Sequence, residues 1–148
     1  MFANILIVCV GNICRSPTAE YLMRQLIQEQ GGNMAVASAG IGALVDKPAA
    51  PKAIALAASI SIDLKSHRAR QLTREMLKEH DLVLVMEQRH IKAVEALAPE
   101  ARGKVHLLGR WHQNIEIPDP YQKGEPAYAL ALDLIQTTTT EWVNKLIR

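Results

Sequence analysis

Cys9 and Arg15 enclose the short segment Val10-Gly11-Asn12-Ile13-Cys14, directly after the apolar run Ile5-Leu6-Ile7-Val8. Ser16-Pro17 follows and has the form of a helix start, with Ser16 as the cap. A buried strand, a Gly-containing loop and a helix N-terminus, in that order, direct backbone N–H groups at one point and favour an anion there. A cysteine reacts as its thiolate, and a free cysteine, with an ordinary pKa of about 8.5, is mostly thiol at neutral pH. The helix N-terminus, Arg15 and the Ser16 hydroxyl would each stabilise the anion. Arg15 offers a planar fork that matches two oxygens of a phosphate, which a lysine would not. Gly11 lets backbone approach an anion closely, and Asn12 tolerates left-handed backbone angles. The chemistry these parts suit is phosphoryl transfer through a cysteine. A C-x5-R spacing alone recurs by chance, and a cysteine ending a buried strand is commonly a small hydrophobe. The preceding strand, the Gly-Asn pair and the Ser-Pro start set this segment apart.

Cleaving a phosphate ester also needs an acid to protonate the leaving oxygen. Asp119, in Ile117-Pro118-Asp119-Pro120-Tyr121, is the best placed, because the flanking prolines stiffen its loop. A plain Pro-Asp-Pro turn is the competing reading. Asp46, Asp63, Asp81 and Asp133 read as turn or boundary residues. The five histidines include no metal-binding spacing, so no metal site is expected. His80, His90, His106 and His112 are expected to be surface or structural. Trp111 and Trp142 are expected to pack, with Trp111 near enough to the acid in sequence to edge the site. Cys14 shares the tight loop with Cys9 and could close a disulfide with it on oxidation.

These residues need elements to position them. Strands are predicted at Ile5–Val8, Met34–Ala37, Leu82–Met86 and Val105–Leu108; the first and third lack alternation, as parallel strands covered on both faces do. Ala19, Leu22, Met23, Leu26 and Ile27 keep helical spacing until Gly31-Gly32 stops the pattern. Further helices are predicted over Ala49–Ser59 and Thr73–Glu79, around Ile91–Ala98, and from Ala127 to Leu146, with the threonine run Thr137–Thr140 weakening the last. Alternating strands and helices imply an α/β fold, a single domain over residues 1–148 with a parallel sheet and helices on both faces, and ligand sites at the carboxyl ends of strands. The net charge of +2 argues against a nucleic-acid partner, and two cysteines in 148 residues make no disulfide scaffold. The start lacks a basic leader and Ile5–Val10 is too short to span a bilayer, so the expectation is a cytoplasmic protein without membrane insertion.

Val8-Cys9-x-Gly11-Asn12-x-Cys14-Arg15-Ser16-Pro17, with the late Asp119-Pro120-Tyr121, resembles the low-molecular-weight protein tyrosine phosphatases. The resemblance runs the whole length, through Ser38-Ala39-Gly40, His67-Arg68-Ala69-Arg70-Gln71 and Asp81. It implies a four-stranded parallel sheet in order 2-1-3-4, a phosphatase I-like fold, with no metal or cofactor. It implies Cys9 as nucleophile, Arg15 as phosphate clamp and Asp119 as general acid. Val10, Gly11, Asn12, Ile13, Cys14, Ser16, Leu44 and Tyr121 would then contact phosphate or substrate. Asn12, Ser16, Ser38 and His67 would brace the loop by hydrogen bonds. Ser38 to Val45 and Met86 to Ile91 are similar to the enterobacterial branch, whose members act on a membrane tyrosine autokinase in exopolysaccharide or capsule export. The expected partner is therefore a tyrosine-phosphorylated protein, with the chain a monomer or weak dimer.

Rival readings make distinct demands. Arsenate reductases of the same fold relay through further cysteines, which this chain lacks. Arginine phosphatases of the family tend to carry Thr where this chain has Ile13. A dinucleotide-binding module is hinted at by Gly40-Ile41-Gly42, but Val45 stands where a third glycine is needed. A catalytically dead phosphotyrosine-binding domain would be expected to lack Cys9 or Asp119.

Overall fold

The computed structural model describes residues 2–147. Four parallel strands, β1 (Asn4–Cys9), β2 (Ala35–Gly40), β3 (Leu82–Val85) and β4 (Val105–Leu107), form one sheet in the order β2-β1-β3-β4. The helices are α1 (Arg15–Glu29), α2 (Pro51–Ser59), α3 (Arg74–Glu79), α4 (Gln88–Leu97) and α5 (Glu125–Leu146). The expected strand order and layered α/β architecture are both present.

Alternation along the central strands divides the apolar interior in two. Ile5, Ile7 and Cys9 of β1 pack with Met23 of α1, Ala57 of α2 and Ile135 and Trp142 of α5. Leu6 and Val8, with Val83 and Val85 of β3, pack with Leu77 of α3 and Val94 of α4. With both faces covered, β1 and β3 need apolar residues at nearly every position, which explains their unbroken runs. Each fully buried Ile, Leu or Val contributes about 1.5–3 kcal/mol.

Three local readings change. β2 runs on through Ser38, Ala39 and Gly40, because Ile7, Val8 and Cys9 of β1 supply ladder partners for these small residues. Ser16 is not the cap of α1. The helix starts at Arg15 after Cys14, which makes no side-chain capping bond, and the Ser16 hydroxyl is used elsewhere. Asp133 lies inside α5 rather than at a boundary. The threonine run stays helical: the hydroxyls of Thr138 and Thr140 donate to the carbonyls of Leu134 and Gln136 at 2.7 Å, and Thr139 is buried. Among the described residues no helix is long and apolar enough to cross a membrane.

Candidate active site

The carboxyl end of β1 delivers Cys9 to a loop whose carbonyls are almost all tied to the protein. Cys9, Val10 and Gly11 accept from the amides of Ile41, Gly42 and Leu44 at 2.9, 3.0 and 3.1 Å, and Ile13 accepts from Ala50 N at 2.8 Å. The Asn12 carbonyl accepts from His67 Nε2 at 2.7 Å, and that of Cys14 from the Thr18 hydroxyl at 2.7 Å. In a trans peptide, a carbonyl and the next amide point in opposite directions. Tying the carbonyls outward therefore turns the following amides inward. Among the described residues the amides of Gly11, Asn12, Ile13 and Cys14 find no protein acceptor. They join the uncapped start of α1 as a ring of donors suited to an anion. Asn12 allows the bend, with φ at 60°.

Side chains behind the loop form one directed chain of hydrogen bonds. The Arg70 amide donates to Asn12 Oδ1 at 2.9 Å, which fixes the Asn12 side-chain orientation. Asn12 Nδ2 then donates to Ser16 Oγ at 2.8 Å and Ser38 Oγ at 3.0 Å. Ser38 donates onward to the Glu20 carboxylate at 2.5 Å. Ser16, accepting from Asn12, is left to donate to Cys9 Sγ at 2.8 Å. Asn12 and Ser16 are fully buried, so their side chains brace the loop and do not line the cleft.

Arg15 is 2% exposed. Its Nη1 donates to Glu87 Oε2 at 2.6 Å and to the Ile117 carbonyl at 2.8 Å, and its Nη2 lies 3.7 Å from Asp119 Oδ2. One edge of the guanidinium is thus anchored while Nε and Nη2 stay available. Burial opposes the charge on Glu87, but hydrogen bonds from Arg89 and Arg15 outweigh it and hold the carboxyl below the usual range. Asp119 Oδ1 accepts from the Tyr121 amide at 3.0 Å, an Asx turn that orients the acid. The open cleft between these elements holds about 180 Å³. Cys9, the loop residues Val10, Gly11, Ile13 and Cys14, and Arg15 line it, together with Gly42, Leu44, Asp119 and Tyr121. A separate apolar pocket of about 20 Å³ lies behind Cys14 against Thr18, Ala53, Tyr128 and Ile135. It has room for a water-sized molecule only.

Burial, together with the charges of Cys9 and Asp119, pushes the Cys14 thiol up to about 11 against the opposing Tyr128 hydroxyl 3.6 Å away. Cys14 therefore stays a protonated thiol at neutral pH. His90 is buried, with Nε2 3.6 Å from Glu87 Oε2; burial and the Arg15 charge push it down to about 4. Trp111 does not edge the cleft. It packs edge-to-face on Trp142 at 5.5 Å, with Arg110 and Lys145 each over its ring. Among the described residues no cluster of His, Cys, Asp and Glu is gathered to hold a metal ion.

Sequence reasoning missed several supports. Glu87 follows β3 at the carboxyl end of a strand, a position that could have drawn notice. Glu20 lies one turn after Ser16 on α1. Gly40 stood out in the sequence only within Ser38-Ala39-Gly40 and Gly40-Ile41-Gly42, neither of which points to packing: a Cβ there would sit 2.4 Å from the Val10 carbonyl, so its lack of a side chain lets the loop close against β2.

The family described as low molecular weight phosphotyrosine protein phosphatase matches residues 4–148. The Wzb low molecular weight protein-tyrosine-phosphatase of Escherichia coli K12 is 48% identical over 146 residues, covering 99% of this chain and 97% of that protein. The Etp enzyme of the same strain is 43% identical, with coverage of 99% and 97%. The structure of Vibrio vulnificus Wzb in complex with benzylphosphonate superposes with a TM-score of 0.93 at 43% identity, covering 98% of this chain and 99% of that one.

Proposed function

The chain belongs to the low molecular weight phosphotyrosine protein phosphatases, on the branch with the enterobacterial Wzb and Etp, and from that membership we propose how Cys9 carries the reaction. The Cys9 thiolate attacks the phosphorus of a phosphotyrosine. The phosphorus–oxygen bond to the phenol breaks, its electron pair passes to the phenol oxygen, and Asp119 delivers a proton there. The amides of Gly11 to Cys14, with Arg15 Nε and Nη2, hold the three equatorial oxygens as charge builds on them. Water then attacks the cysteinyl phosphate and gives a proton to the Asp119 carboxylate. The sulfur–phosphorus bond breaks, and sulfur leaves as a thiolate that the Ser16 hydroxyl stabilises.

The single observation supporting this course most is the outward tying of the loop carbonyls, which leaves a ring of amides around Cys9 with Arg15 and Asp119 in the same cleft. The apolar lining residues Ile13, Leu44 and Tyr121 suit an aromatic ring, and a relative has been solved with benzylphosphonate, a compound of that shape. Ile13 offers no hydrogen bond to a guanidinium, and the chain's two cysteines cannot build a longer thiol relay. The physiological substrate in this reading is a membrane tyrosine autokinase of exopolysaccharide or capsule export, supported by the similarity to Wzb.

Cys9→Ser tests both parts. It should abolish turnover of p-nitrophenyl phosphate, keep vanadate binding, and retain the phosphorylated autokinase from a lysate until vanadate displaces it. Wild-type turnover by Cys9→Ser would refute the nucleophile. Retention of other phosphoproteins without the kinase would refute the substrate.

A further inference from the structure

A second groove, of about 450 Å³, opens beside the catalytic cleft, and Tyr121 is part of the wall of both. One side is the start of α2, from Ala50 to Lys52; the other is the turn Tyr121–Gly124, with Tyr128 also lining the groove. Lys52 and Lys123 line it, and among the described residues no carboxylate does. Among the described residues neither lysine is paired with an acid. Lys52 Nζ stands 5.9 Å from the Tyr128 ring centroid, a contact that favours holding the ammonium at the groove. Lys123 is presented by a tight turn: its amide donates to the Pro120 carbonyl at 2.9 Å, and Gln122 has φ at 62°. The same loop carries Asp119.

A phosphotyrosine with its phosphate on the Cys9 loop leaves its own backbone outside, at the rim formed by Leu44 and Tyr121. Both rim residues are 42% exposed. Residues next to the phosphotyrosine must cross that rim, and on the Tyr121 side they enter the groove. Two unpaired ammonium groups with no facing acid complement a negative side chain there. We propose that the groove is a second substrate subsite, in which Lys52 and Lys123 take the carboxylate of a Glu or Asp flanking the phosphotyrosine. This rests on the phosphotyrosine occupying the cleft as described above, and it narrows the substrate class to acidic phosphotyrosine segments.

The test compares phosphotyrosine peptides carrying Glu, Gln or Lys at one position in turn on either side of the phosphotyrosine. Exposed ion pairs of this kind give a preference of about two- to tenfold in kcat/KM for Glu over Gln. That preference should appear on one flank, shrink at high salt, and vanish in the Lys52→Gln/Lys123→Gln double variant. Lys52→Glu/Lys123→Glu should instead favour the Lys peptide. Turnover of p-nitrophenyl phosphate, which has no flanking residue, should stay unchanged in both variants. Equal use of Glu and Gln peptides by the wild type, or a preference that survives in the double glutamine variant, would overturn the subsite. Failure of the wild type to hydrolyse even the Gln peptide would overturn the reading of the cleft, and the subsite with it.

Discussion

At the scale of single residues, hydrogen-bond direction does what charge alone would not. A carboxylate can only accept and a backbone amide can only donate, so Glu20 and the Arg70 amide together orient Ser38 and Asn12. That orientation leaves the Ser16 proton directed at Cys9 Sγ. Asp119 has the opposite character, on an exposed loop with one oxygen held by the Tyr121 amide and the other toward Arg15. A tyrosyl phenolate, with a conjugate pKa of about 10, leaves poorly without a proton. Asp119→Ala should lower kcat on phosphotyrosine by about a hundred- to ten-thousand-fold. The loss should shrink steadily as aryl phosphates with more acidic phenols are used. A uniform loss across leaving groups would make Asp119 a support for the loop rather than the acid.

At the scale of elements, the anion loop depends on how closely β2 lets it approach. Gly40 ends β2 beside Cys9, and the Val10 carbonyl lies where its Cβ would be. Gly40→Ala forces the loop or the strand to move, and overpacking of this sort costs about 1–3 kcal/mol. The urea midpoint should fall and vanadate affinity should fall with it, because the displaced segment carries the donor amides. At Gly42 a Cβ would have only Val10 near it, at 4.0 Å, so Gly42→Ala should leave the urea midpoint nearly unchanged. Equal effects at the two positions would mean that close packing on Val10 is not what Gly40 supplies. The uncapped start of α1 belongs to the same design: a side-chain cap would occupy amides that an anion needs.

At the scale of the molecule, Arg15 joins three distant segments: α1, the start of α4 through Glu87, and the acid loop through Ile117 and Asp119. Removing Glu87 would leave a buried guanidinium short of its partner, which commonly costs about 3–5 kcal/mol. His90 sits against this pair, with Arg15, Glu87, Arg89 and Glu116 as the charges around it. The unfolded chain binds a proton at His90 near its ordinary 6.5, the native chain only near about 4. Between those values the unfolded state holds more protons, so this contribution to stability is complete above about pH 6.5 and is lost as the pH falls toward about 4. Thermal melts of His90→Asn should show a weaker decline across that window than the wild type. Identical pH dependence in the two proteins would assign the decline to another group.

The anion-binding form of the first seventeen residues was legible because cysteine, donor loop, arginine and helix start are contiguous. Local rules govern such a segment: a two-sided apolar strand must end, Asn12 can take a left-handed angle, and Pro17 is tolerated only in a first helical turn. The alternation of apolar runs likewise determined the α/β layering, since parallel strands need helices to cover both faces. Ser16 shows where local rules end. Its position suits a cap, but the hydroxyl pairs with Cys9 and with Asn12, whose side chain is oriented by the distant Arg70 amide and Ser38 hydroxyl. Glu87 and the Ile117 carbonyl are 72 and 102 positions from Arg15, and Ser38 is 26 from Asn12. No local propensity encodes those pairings. They exist because the order β2-β1-β3-β4 places β2 on one side of the Cys9 strand and β3 on the other, so that only the assembled sheet decides which buried polar groups meet.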